Sequence, residues 1–176
     1  MRHAPLSRPH LLRSLSTLVL LVLAPGAWAQ QAPPGTKAAP PSRTQVNDVQ
    51  AREQLLGAHA LTLQWVSYEW EEKQRKDKPG KATVTEKDGL LTLEGEHSGA
   101  KGGLLRVDGA IERVDAKSFI LVGRVETRMG FVNDGQPCVR EGRFTFRMTG
   151  KRRYWRLQQM DNPCSDVTDY VDVYLR

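Results

Sequence analysis

The chain has few of the residue types from which most enzyme sites are built. Of 176 residues, four are histidine and two are cysteine, and only His59 and His97 follow residue 29. No GxSxG, HExxH, P-loop or GxGxxG pattern occurs, which removes the common signatures of hydrolases, zinc proteases and nucleotide-binding proteins. No apolar run approaches the roughly 20 residues that a membrane-spanning helix needs; the run Leu18 to Leu23 is six residues long. Charge of one sign is also scarce. Lys and Arg number 26 against 20 Asp and Glu, a net +6, and three of those cations (Arg2, Arg8, Arg13) lie in an acid-free first 29 residues, leaving +3 beyond them. That balance argues against a nucleic-acid binder, which needs a strongly basic surface. The length is that of one domain and argues against a multidomain machine.

Residues 1–29 read as a signal peptide. Met1 to Arg13 is basic, Leu18 to Leu23 is a short apolar core, and Ala27-Trp28-Ala29 is a small-x-small cleavage site. The expected location is the periplasm or the exterior. In such an oxidising compartment an even pair of cysteines reads as one disulfide, Cys138 to Cys164. Closing a loop of about 27 residues contributes roughly 3.5 kcal/mol in the chain-entropy account. Residues 30–46 read as a disordered Pro-rich linker, with Pro33, Pro34, Pro40 and Pro41 and little to bury. Residues 47–176 are then a single folded domain.

A short helix is expected from Asn47 to Leu56, capped by Asn47 and ended by Gly57. From Leu61 the apolar period becomes two, the strand signal. Leu61, Leu63 and Trp65 alternate with polar residues; Val66, Tyr68 and Trp70 continue in the opposite phase, implying a bulge near Trp65. Further strands are expected around Ala82–Val84, Leu91–Leu93, Leu105–Val107, Phe119–Val125, Phe144–Met148, Trp155–Leu157 and Val171–Leu175, with a hairpin turn at Asp88-Gly89. Gly95, Gly109 and Gly123 recur every 14 residues, as in a sheet that curls. Together these imply an all-β fold, an antiparallel meander closing into a soluble eight-stranded barrel with a short N-terminal helix. The polar face carries Arg106, Asp108, Arg124, Glu126, Arg143 and Arg147. An outer-membrane barrel needs an apolar outer face instead, so the apolar side is expected to point inward.

An inward apolar face makes Trp65, Phe119, Phe144, Phe146 and Trp155 candidates to line a ligand cavity. The stretch from Cys138 to Arg156 carries Arg140, Arg143, Arg147, Lys151, Arg152, Arg153 and Arg156 against Glu141 alone. Arg143, Arg147 and Arg156 are therefore candidates for an interaction face toward a polyanion or an envelope protein. Arg156 has Asp169 and Asp172 as possible partners on a neighbouring strand. His59 and His97 are general-base candidates only in name, and a lone surface histidine is the commoner role. Asp161, Asn162, Asp166 and Asp169 offer calcium-type oxygens without EF-hand spacing. No cofactor, metal or nucleic acid is expected.

Tyr154-Trp155-Arg156, Asp161-Asn162-Pro163-Cys164 and Asp169-Tyr170-Val171-Asp172, with Cys138 and Arg140 before them, resemble a family of small exported bacterial proteins of unassigned function. Gly57 with Leu61, Leu63 and Trp65 is similar to the opening of lipocalin-like barrels, which implies a barrel that holds an apolar ligand. The expected function is binding of a small apolar ligand without catalysis; the alternative is an interaction or inhibitor module that uses the Arg-rich face.

Overall fold

The computed structural model describes residues 39–72 and 78–176. The expected signal peptide and residues 30–38 of the expected linker lie outside the described residues. In the rest, alternation of apolar and polar residues sets the architecture. The elements are β1 (Gln45–Val46), α1 (Val49–Leu55), β2 (Gly57–Leu63), α2 (Gln64–Glu72), β3 (Gly80–Lys87), β4 (Leu90–Ser98), β5 (Leu104–Asp115), β6 (Ser118–Arg128), β7 (Cys138–Arg147), β8 (Tyr154–Leu157) and β9 (Val171–Tyr174). From β2 to β9 each strand pairs antiparallel with the next, and β9 pairs with β2, so eight strands close into a barrel. The ninth, β1, joins the free edge of β5 in parallel, Gln45 opposite Arg113 and Val46 opposite Val114. It does so beyond a register shift between Ile111 and Arg113. The last two residues of the span expected as linker are thus strand, and Thr44 just before them is buried, with its hydroxyl bridging the Ile111 carbonyl and the Leu91 N–H.

The inward positions hold one apolar core that includes Leu63, Leu93, Val107, Phe119, Phe146, Trp155 and Val173. Burying each such side chain contributes about 1.5–3 kcal/mol. The β3–β4 hairpin is the expected one: Asp88 and Gly89 both have positive φ, 52° and 78°, as a type I′ turn requires. The first helix is shorter than expected and is capped one residue later. The Asp48 carboxylate, not the Asn47 amide, accepts the Ala51 N–H at 2.7 Å. Asn47 instead donates to Asp115 at 2.7 Å, tying the helix to the end of β5.

The glycine row has a steric cause. Gly109 stands opposite Gly123, and Gly123 opposite Gly142. A Cβ on Gly123 would sit 2.0 Å from the Asp108 carbonyl oxygen and 2.6 Å from the Gly109 Cα. Only glycine lets β5 and β6 approach this closely, and the bend that results curls the sheet toward closure.

One segment departs from the strand reading. Gln64–Glu72 is helix rather than the second half of a bulged strand. Val66 and Trp70 satisfy a helical spacing of four as well as a spacing of two, and the tertiary contacts decide between them. The barrel wall ends at Leu63. Beyond it Val66 and Glu69 turn inward while Tyr68 is exposed, and the Trp70 indole donates to the Ser98 carbonyl at 3.2 Å. The two histidines are buried, not on the surface. His59, 4 % exposed, reaches the Tyr174 carbonyl through Nδ1 (2.9 Å) and the Leu55 carbonyl through Nε2 (2.7 Å), stitching α1 to β9. The His97 Nδ1 accepts the Leu63 N–H at 3.1 Å. Both satisfy backbone groups left over where elements end.

The strand directions sort the connections to two ends. One end carries α1, the Asp88-Gly89 turn and the β7–β8 hairpin. The other carries α2, the β4–β5 turn, the β6–β7 loop and the long β8–β9 connection. No helix among the described residues is long and apolar enough to cross a membrane.

Gly123→Ala should lower stability by about 1–3 kcal/mol, because the strands must separate to admit the methyl group. Gly130→Ala, where the Cβ meets no atom within 4 Å, should be near neutral. Urea unfolding of the two variants checks the contrast.

Candidate functional site

The end that carries α2 gathers most of the unusual chemistry. Its deepest feature is an ion pair, Arg140 on β7 with Asp169 just before β9, at 3.1 Å with side chains 9 % and 1 % exposed. Arg140 also donates to the Gln159 carbonyl at 2.8 Å and the Asp161 carbonyl at 3.3 Å. Asn162 donates to Asp169 at 3.0 Å and accepts the Cys164 N–H at 2.9 Å, the turn expected at Asp161-Asn162-Pro163. The Cys138–Cys164 disulfide lies beside it, with the two Cα atoms 6.0 Å apart. Burial pushes the Asp169 carboxyl above the ordinary carboxylate range, against Arg140, Asn162 and the Trp65 indole, which favour the charged form. Burial likewise lowers the Arg140 guanidinium, and Asp169 opposes the shift. These groups anchor the β8–β9 connection to β7. They offer no free nucleophile, and no cluster of three or more metal-ligating side chains occurs among the described residues.

Helix α2 lies over this end because of Glu69. Its buried carboxylate accepts the N–H groups of Lys101 (2.8 Å) and Gly103 (3.0 Å) in the β4–β5 turn. A Cβ on Gly99 or Gly103 would strike that carboxylate, so the glycines of this turn make room for it. So held, α2 presents Trp65 and Tyr68 beside Phe131 of the β6–β7 loop. Trp65 meets Phe131 edge to face at 5.4 Å and Tyr68 at 5.9 Å. The three rings, with Glu69, Lys101 and Gly130, line a recess of about 310 Å³ that opens to solvent. Phe131 is 60 % exposed and Tyr68 53 %.

A family model, that of the PM1083 family, matches residues 43–175. The chain belongs to the PM1083 family. A relative within it, the uncharacterised protein PM1083 of Pasteurella multocida (strain Pm70), is 38 % identical over 120 residues, covering 68 % of this chain and 72 % of that protein. No solved structure matches. The family match takes in the whole barrel, including the Tyr154–Asp172 stretch.

The expected site residues separate into distinct places. Cys138 and Cys164 are bonded. Phe119, Phe146 and Trp155 meet one another in the core: Phe119 stacks on Phe146 at 4.8 Å and meets Trp155 edge to face at 5.8 Å. Phe144, 5 % exposed, joins the same cluster. Trp65 stands apart from them at the recess. On the Arg-rich face, Arg143 is paired with Glu112. Arg156 is paired with Asp172 rather than with Asp169, through Nε to Oδ1 at 2.7 Å and Nη2 to Oδ2 at 2.6 Å. Arg147 is exposed, opposite Arg156 in the β7–β8 register. Sequence reading missed Tyr68, Phe131, Glu69 and the Arg140–Asp169 pair. Phe131 did carry a signal, since an aromatic residue in a glycine-flanked loop between strands has no barrel wall to occupy.

Asp169→Ala should cost about 3–5 kcal/mol, because it leaves Arg140 buried and unpaired. The double variant Arg140→Met with Asp169→Leu should cost less than Asp169→Ala alone. A denaturant-melt double-mutant cycle measures both.

Proposed function

We propose that this protein is an exported binding module that acts without catalysis and holds a small apolar group in the recess of Trp65, Tyr68 and Phe131. The observation that carries the reading is the recess itself. Three aromatic rings converge at one end of the barrel, and two of them remain more than half exposed. Leaving large apolar surface in water is unfavourable, and a rimmed apolar hollow is the usual form of a ligand or partner site. The Glu69 carboxylate serves the fold, accepting two backbone N–H groups of the β4–β5 turn. Placement of the site outside the barrel is supported by the packing of Phe119, Phe146 and Trp155 against one another. Export is supported by the signal-like first 29 residues and the disulfide.

An apolar fluorescent probe should bind saturably and quench tryptophan emission. Phe131→Ala should weaken it by about tenfold, the cost of one lost aromatic wall. Equal affinity of the variant and the parent would refute the site.

A second reading, docking on a polyanion or an acidic envelope protein, has a specific observation behind it. From Gly142 to Met160 the chain has no acid. Glu112 and Asp172 neutralise Arg143 and Arg156, but Arg147 and the hairpin residues Lys151, Arg152 and Arg153 are exposed. If this face is used, Arg147→Ser with Arg152→Ser and Arg153→Ser should abolish a salt-sensitive pull-down of that partner and leave probe binding intact.

A further inference from the structure

Tyr68 also borders a second recess, which Phe131 does not line. This recess lies on the outer wall where β2, β8 and β9 meet and measures about 240 Å³. Its chemistry differs from that of the first. Tyr170 and Tyr174 line it with Tyr68, and Arg156, Asp172 and Gln64 supply polar groups. None of the described side chains lining it is aliphatic except for the methyl of Thr62.

We propose that this recess is a binding site for one ring of a neutral oligosaccharide. A sugar ring has apolar C–H faces that pack on aromatic rings. Its edge of hydroxyls both donates and accepts, and planar amide, carboxylate and guanidinium groups match that edge in pairs. Both halves of the requirement are present. Tyr170 is 40 % exposed and Tyr68 53 %, so each has ring surface open to solvent. The planar groups are held in advance, which removes the entropy that ordering them on binding would cost. The Gln64 amide accepts the Tyr170 N–H at 2.8 Å and donates to the Thr168 carbonyl at 2.5 Å. Asp172 is fixed by the two bonds from Arg156, and the guanidinium lies 4.4 Å from the Tyr170 ring centre and 5.2 Å from that of Tyr154. The ion pair uses Nε and Nη2, so Nη1 stands outside it.

Charge selects among ligand classes. Arg156 and Asp172 cancel, so the recess offers a phosphate, sulfate or carboxylate no uncompensated counter-charge. An apolar ligand would cut off the remaining donor and acceptor capacity of the carboxylate, the guanidinium and the amide from water and offer no hydrogen bond in return. A neutral polyhydroxylated ring meets neither cost.

The test titrates the disulfide-bonded protein with cellohexaose, maltohexaose and chitohexaose, followed by calorimetry and by amide chemical shifts. At least one should bind saturably, with a Kd of about 1 mM or tighter, the range open to a small site. Tyr170→Ala should weaken it by about tenfold, Tyr170→Phe should retain it, and Phe131→Ala should leave it unchanged. Tyr170 is exposed and outside the core, and the amide spectrum of Tyr170→Ala reports whether its fold is intact. Absence of saturable binding by all three sugars at about 10 mM would overturn the proposal. So would binding indifferent to Tyr170→Ala, or binding lost in Phe131→Ala, which would place the sugar in the apolar recess instead.

Discussion

The buried pair of Arg140 and Asp169 is the constraint on which the features of this end of the barrel rest. It holds the connection between β8 and β9 against β7, with Asn162 and the disulfide beside it. That connection supplies the Thr168 carbonyl and the Tyr170 N–H that grip Gln64, the first residue of α2. Helix α2 in turn carries Trp65, which lines the first recess, and Tyr68, which lines both. A shift of the ion pair would therefore move both recesses together, although neither Arg140 nor Asp169 lines one.

Such a pair is not the cheapest way to stabilise a loop. Desolvating two charges offsets much of their attraction, and apolar residues of similar size often serve as well. Its directional bonds specify more than an apolar plug would: Arg140 reaches two carbonyls and a carboxylate, three fixed points on one segment. The disulfide supplies stability by another route, restricting the unfolded chain by roughly 3.5 kcal/mol for a loop of this size. The two devices divide the work, one setting the position of the connection and the other its persistence.

The barrel was legible in the sequence because period-two alternation is a local signal. Leu91 with Leu93, and Phe144 with Phe146, show their inward faces without reference to anything distant. The same holds for the Asp88-Gly89 turn and for Gly109 and Gly123, whose spacing matches a cross-strand contact between successive long strands. The site was much less legible. Trp65, Val66, Tyr68 and Trp70 fit two periods, and a carboxylate received by a turn more than 30 positions away settles the choice. Arg140 and Asp169 are 29 positions apart and come from segments that read separately as a basic stripe and an acidic turn. The burial of His59 and His97 depends on carbonyl and N–H groups orphaned where strands and helices end, which no local pattern reveals.

A barrel of eight strands has a lumen just wide enough for side chains to fill or for one small ligand to occupy. Here Phe119, Phe146 and Trp155 stack and abut one another inside the barrel toward the α1 end, each no more than 2 % exposed. Opening that interior to a ligand would mean parting aromatic contacts that also support the fold. The exposed rings of Tyr68, Phe131 and Tyr170 carry no such duty, because they sit on α2 and on connections outside the strand ladder. Recognition built there can vary while the strands beneath stay as they are, since connections tolerate change that a packed core does not. The division follows from the sequence upward: alternation commits the strand residues to the core, and the aromatic rings left over at one end are not spent on packing it.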